Sequence, residues 1–257
     1  MPDKFLKITA LMSCPRLGFT DNFFCALSAF TPLGIQMAKD SGAYWEQSLS
    51  RLFYLRVDAG DDYIITVDYD SVFKSEDVIQ LVQLASKHNA DAVCATQLKR
   101  DCSQLLMTVH PDEFTGDGTQ VDLQKPLLRI RTGHFGLTVI SCDSLRKLPQ
   151  PWFFSHPDAN NCRWDGEGKV DADIFFWLLT EKHNWKTYQA NEVRIGHIQR
   201  VITWPTRTNG TAHQYLDDFE KNGKPADVRP ILADSSLDPA GAITPRSAPV
   251  GLEAACV

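Results

Sequence analysis

The stretch YIITVDYDSVF, residues 63–73, is apolar on consecutive positions and then ends on two carboxylates, Asp68 and Asp70. A strand that is apolar at successive positions has both faces covered, as in a parallel sheet flanked by helices. The segment therefore predicts a central strand of an α/β sheet. Two adjacent negative charges repel, and either solvent or a cation must offset that repulsion. Side chains two apart on a strand share a face, so both carboxylates can meet one hard cation, Mg²⁺ or Mn²⁺. In an open α/β sheet, ligands bind beyond the carboxyl ends of the strands, where this pair falls. The other reading of the same residues is an acidic turn after a strand. From D-x-D alone both stand.

The flanking sequence continues the pattern. FLKITALMS (5–13) reads as the first strand. GAYWEQSLSRLFYLRVDAG (42–60) sets Trp45, Leu49, Leu52 and Phe53 at helical spacing and stops at Gly60. Ser75, Glu76 and Asp77 open a helix over 76–89, with acids at the positive end of its dipole. DAVCATQ (91–97) is a further strand. This alternation predicts an α/β domain with a mostly parallel central sheet flanked by helices. Residues 98–132 are polar and turn-rich, with PDEFTGDGTQ a hairpin or loop. GHFGLTVISCDSLRKL (133–148) predicts a strand and a short helix, DADIFFWLLTEKHNW (171–185) an amphipathic helix, and KTYQANEVRIGHI (186–198) more strand. The domain is expected to span 1–223. A Pro-, Ala- and Ser-rich tail, 224–257, is expected to be disordered or loosely packed.

Composition narrows the function classes. At 257 residues, with 43% hydrophobic and 23% charged residues, the chain has the material for one large globular domain. A net charge of −6 argues against nucleic-acid binding, which needs basic surface to neutralise phosphates. Seven scattered cysteines, odd in number and without a C-x-x-C pair, read as reduced thiols. No apolar run reaches membrane-spanning length, and the N-terminus lacks a signal-peptide pattern. A cytoplasmic location is the expectation.

Three ordered blocks resemble the glycosyltransferase-A superfamily, in particular the short bacterial and phage-type relatives of the family-2 glycosyltransferases. The first is WEQSLSRLFYLRVDAGDDYIITVDYDSVF with the helix, strand and basic TQLKR that follow. The second is RTGHFGLTVISCDSLRKL. The third is DADIFFWLLTEKHNWKTYQANEVRIGHI, closing on Gly196 and His197. The resemblance covers roughly residues 5–205. It implies a metal-dependent transfer of sugar from a nucleotide-diphosphate sugar, UDP- or GDP-linked, to a glycan, lipid or protein hydroxyl, with inversion. It assigns Asp68, Asp70 and His197 to Mn²⁺ or Mg²⁺ and the nucleotide sugar. It makes Asp173 the base that takes the acceptor's proton, and places Asp171 on the acceptor side. This chain departs from the family pattern at Ala172, where the family has Glu before the catalytic Asp.

Further candidates follow from such a domain. Pro15 and Arg16, after the first strand, and Asp40, near the end of the second, stand where base and ribose are contacted. Tyr69 and Arg100 are donor-side candidates, and Gly133 and His134 lie near the donor sugar, where His134 reads equally as a packing residue. The aromatic loop 151–169 offers Trp152 and Trp164 as platforms for an acceptor sugar. Two alternatives remain in view. A haloacid-dehalogenase-like phosphatase also ends a strand on D-x-D, but here Ser71-Val72 replaces its Gly-Thr and no later GDxxxD occurs. A non-catalytic sugar-nucleotide-binding module would keep the same fold.

Overall fold

The computed structural model describes residues 6–14, 18–99, 104–115, 120–165 and 168–228. The chain divides into two units, Met1–Gln199 and Arg200–Val257.

The first unit is built on an eight-stranded sheet. Its elements in chain order are β1 (Ile8–Cys14), α1 (Thr20–Phe30), β2 (Gln36–Ser41), α2 (Trp45–Asp58), β3 (Tyr63–Asp68), β4 (Ser71–Val72), α3 (Ser75–Lys87) and β5 (Ala92–Thr96). There follow β6 (Thr108–Val109), β7 (Phe114–Thr115), β8 (Gln120–Val121), β9 (Leu127–Thr132), β10 (Leu137–Ser141), α4 (Cys142–Lys147), α5 (Ala172–Lys182), β11 (Thr187–Arg194) and β12 (Gly196–His197). The strand order is β2-β1-β3-β10-β5-β11-β9-β6. β1 runs parallel to β2 and β3, and β5 to β11. β10 is antiparallel to both β3 and β5, and β9 is antiparallel to β11 and β6.

Strand alternation explains why the strands read apolar throughout. Ala10, Met12, Ile65, Val67, Val93 and Ala95 pack on one face with Phe30 of α1 and Leu81 of α3. Leu11, Ile64, Ala92 and Cys94 pack on the other with Phe53 of α2, Leu145 of α4 and Phe176 and Trp177 of α5. Each face loses its apolar surface from water, the main favourable term in folding.

The α/β sheet flanked by helices is as expected, and the structure revises three details and bears out a fourth. The sheet is mixed, because β10 and β9 run against their neighbours. Residues 98–132 are not all turn: Leu128, Ile130 and Thr132 are buried while Arg129 and Arg131 are not, a half-buried strand that periodicity would have found. The hairpin within PDEFTGDGTQ is present, as Phe114 pairs with Val121 and Thr115 with Gln120. The cap of α3 is Lys74 instead of Ser75, with the Asp77 carboxylate accepting from the Lys74 N–H at 2.8 Å. Helix α1 and strand β9 were not read from the sequence.

The second unit contains β13 (Val201–Pro205), antiparallel to β14 (Thr211–Tyr215), and α6 (Leu216–Asn222). Asn209, at φ 58°, occupies the left-handed region in the connecting turn. The Trp204 ring packs on Phe219 at 5.6 Å, and Lys224 Nζ stands 5.4 Å from the Trp204 ring centre. Most of the expected tail, from residue 229, lies outside the described residues. Among the described residues no helix is long and apolar enough to cross a membrane.

Candidate active site

Strand β3 ends at Asp68, and residues 69–70 form a turn before β4. The shared-face argument for Asp68 and Asp70 therefore fails, since Asp70 is off the strand. Another device brings the residues together. β4 pairs antiparallel with β12, Ser71 opposite His197 and Val72 opposite Gly196. A Cβ on Gly196 would stand 2.6 Å from Val72 Cγ2, so this close pairing requires glycine. The Ile198 N–H donates to the Asp70 carbonyl at 2.7 Å, and His197 Nε2 comes 3.3 Å from Asp70 Oδ2.

Two buried amides fix the turn. Asn22 Nδ2, on α1, donates to the carbonyls of Asp68 and Ser71. Gln97 Nε2 donates to Ser71 Oγ at 3.1 Å and to the Gly196 carbonyl at 3.2 Å, holding β4 against β12. Neither residue was a sequence candidate. Nothing in the sequence around either residue marks it, since Asn22 follows Thr20 and Asp21 and Gln97 stands between Thr96 and Leu98-Lys99.

The His197 ring is oriented from behind. Its Nδ1–H donates to the Leu98 carbonyl at 2.9 Å, because a carbonyl only accepts. In the neutral ring, Nε2 then directs a lone pair at a carboxylate oxygen, an arrangement that a cation between them stabilises. This backbone-held imidazole is the usual device for a metal-binding histidine. Asp70 is 1% exposed. The donor set, one nitrogen and one carboxylate oxygen with Asp68 beside them, suits Mn²⁺ or Mg²⁺ completed by phosphate oxygens and water. The expected three-residue cage is not preformed: among the described residues no group of three His, Cys, Asp or Glu side chains has metal-holding geometry.

Asp68 shares the sheet face of Ile64 and Thr66, the face covered by α2 and α5. Burial and the charge of Asp70 push its carboxyl up to about 7, against the attraction of His197 and a hydrogen bond from Trp45. Asp173 adds to the upward push, which places the first turn of α5 within electrostatic reach of the strand end. Asp173 is itself raised, mainly by burial and then by Asp171, while the Ile174 N–H donates to its Oδ1 at 2.8 Å. Asp171 pairs with Lys169 at 3.2 Å. Asp171 and Asp173 line a cavity of about 730 Å³ together with Gly133, His134, Lys99 and Leu105.

The remaining candidates are placed differently from one another. Tyr69 lies parallel to Phe19, ring centres 6.2 Å apart, beside a smaller cavity that Asn22, Lys39 and Ser41 also line. Asp40 does not line that cavity. It is bound to Arg51 of α2 at 2.6 Å, on the opposite side of β2 from Lys39 and Ser41. His134 is a packing residue at both ring nitrogens: Nδ1 accepts from the Gly136 N–H at 3.0 Å and Nε2 donates to the Ala95 carbonyl at 2.7 Å. Gly133 is required by the Cys94 sulfur, which a Cβ would approach to 2.5 Å. Trp152 is 2% exposed, stacks on Tyr54 at 4.6 Å and donates to the Leu148 carbonyl, so it is core and offers no face to a sugar. Trp164 is 57% exposed. Pro15, Arg16 and Arg100 lie outside the described residues.

Residues 51–148 match a family model described as Glycosyl transferase family 2. The matched segment includes Asp68 and Asp70. Among solved structures, the crystal structure of A197 from STIV aligns with a TM-score of 0.55 at 14% identity, covering 81% of this chain and 94% of that one. The structure titled GalNAc-T7 with UDP, GalNAc and Mn²⁺ aligns with a TM-score of 0.48 at 11% identity, over 77% of this chain and 45% of that one. No curated protein sequence matches. The family match and the α/β architecture bear out the glycosyltransferase-A resemblance; the matched residues take in most of the first sequence block and the second, and end before the third.

Proposed function

We propose that the chain transfers a sugar from a nucleotide-diphosphate sugar to an acceptor hydroxyl, with a divalent cation and with inversion. The observation that carries the reading is the Asp70–His197 pair, with Asp68 beside it and Asp173 within electrostatic reach of Asp68. A divalent cation bound there would supply positive charge to the departing diphosphate. Everything else falls to side chains of this protein. His197, held through Nδ1, and Asp70, held through the β4–β12 pairing, would be its ligands. Asp173 would take the proton from the attacking hydroxyl as the bond from the anomeric carbon to the diphosphate oxygen breaks. Burial raises its pKa, which makes it a stronger base than an exposed carboxylate. Attack from the Asp173 side, opposite the leaving diphosphate, is a single displacement and inverts the anomeric centre.

The test is a thermal-shift panel of UDP, GDP, CDP, TDP and their sugars, with and without Mn²⁺. A ligand at a hundred times its Kd stabilises by about 2.7 kcal/mol, enough for a clear shift. Stabilisation is expected only with the metal and only for one base class. Asp70→Asn is expected to abolish it. Asp173→Asn is expected to keep it while transfer falls by about 10²–10⁴-fold. A nucleotide response equal with and without metal, or unchanged in Asp70→Asn, overturns the metal site. Transfer near the wild-type rate in Asp173→Asn overturns the base.

A further inference from the structure

A separate cavity of about 310 Å³ lies at the carboxyl ends of β5 and β11, walled by Leu98, Leu105, Leu123 and Ile195. Its floor carries two buried amides, Gln189 and Asn191. Their orientations are fixed in sequence. The Lys125 carbonyl can only accept, so Asn191 directs Nδ2 to it at 2.8 Å and turns Oδ1 the other way. Gln189 Nε2 donates to that Oδ1 at 2.7 Å. Gln189 Oε1 is the end of this chain: it is buried and, among the described residues, has no hydrogen-bond partner.

A buried acceptor without a donor is costly, and a protein retains it at little penalty only where something supplies the donor. Leu98 and Leu123 are each 45% exposed, so apolar surface continues outward from the cavity. Arg194 also lines it, and its positive charge disfavours a cationic occupant. Leu105 lines this cavity and the one holding Asp173, which makes the two neighbours. We propose that this cavity binds the apolar part of the acceptor, an uncharged ring or chain segment bearing one O–H or N–H that donates to Gln189 Oε1. The role as an acceptor subsite rests on the glycosyl-transfer reading, whereas the cavity's preference for a donor-bearing apolar group does not.

Indole and benzothiophene make the test, because they are close in shape and only indole carries an N–H. Ligand-observed NMR titration of the full chain is expected to show indole binding about tenfold tighter than benzothiophene. Gln189→Met, which keeps the length and removes the acceptor, is expected to abolish that preference. Leu123→Arg, at the exposed rim, should weaken both probes without disturbing the core. Equal binding of the two probes to the wild type, or a preference that survives in Gln189→Met, overturns the proposal, as does indole binding unchanged by Leu123→Arg. If the two probes behave as expected but no nucleotide stabilises the protein with Mn²⁺, the cavity stands and the transferase reading falls.

Discussion

His134, which the sequence leaves between a donor-sugar contact and a packing role, is tied to the backbone at both ring nitrogens. Its two nitrogens are committed to opposite roles, one accepting from Gly136 and one donating to Ala95. A second ring proton would set N–H against N–H. Burial accordingly lowers its pKa to about 4 from an ordinary 6.5, with His197 adding to the effect. The folded state thus resists a proton that the unfolded chain accepts. The contribution of His134 is fully present above about pH 6.5 and is lost as pH falls toward about 4, by roughly 3 kcal/mol in all. Asp68, its pKa raised to about 7, gains stability over the same fall in pH, so the His134 loss is read by difference. Urea unfolding at pH 7 and pH 5 should show His134→Gln faring better than the wild type at pH 5, relative to pH 7, by roughly 2 kcal/mol. A profile as steep in the variant as in the wild type would place the acid sensitivity elsewhere.

At the same scale, the legibility of the site follows sequence distance. Asp68 and Asp70 announce themselves because a strand's apolar run stops on them. His197 was reachable only through the resemblance, since its neighbour in space is a turn more than a hundred positions away that β4 and β12 bring to it. Asn22 and Gln97 left no usable mark. Each is one amide whose importance lies in which carbonyls it meets, and nothing local to either reveals that.

Elements decide the fate of the aromatic loop. Trp152 and Trp164 read alike in the sequence, two indoles in one polar connection. In the fold, Trp152 is drawn under α2, where Tyr54 and Phe53 cover it, and Trp164 stays outside. Trp152→Ala is expected to cost about 3–5 kcal/mol, the range for deleting a buried large aromatic, which lowers Tm by roughly 10 °C. Trp164→Ala should leave Tm within about a degree, and its effect, if it serves the acceptor, belongs in KM for the acceptor. Differential scanning calorimetry of both variants separates the roles, and equal Tm losses would contradict them. β9 teaches a related lesson. Its alternation of Leu128, Ile130 and Thr132 with Arg129 and Arg131 is a plain strand signal. The polar, turn-rich residues on either side of it mask that signal when the region is read as one stretch.

At the scale of the molecule, the expected boundary and the contact division fall in different places. Residue 223 marks a change in composition, whereas the chain's contacts divide between Gln199 and Arg200. Composition reports what a segment is made of, not which core it joins. Both large apolar clusters take all their buried members from residues up to Ile195, and β12 ends at His197. Every side chain proposed for metal, base or cavity therefore precedes Arg200. A chain ending at Gln199 keeps every buried member of both clusters, whose withdrawal from water is the dominant favourable term. It is expected to fold cooperatively, with a Tm within a few degrees of the full chain's, and to keep its Mn²⁺-dependent response to nucleotide. Circular-dichroism melting and the same thermal-shift panel check both parts. A fragment that fails to melt cooperatively would mean that residues after Gln199 are needed to complete the first unit. A fragment that melts normally but ignores nucleotide would place part of the donor site beyond Gln199.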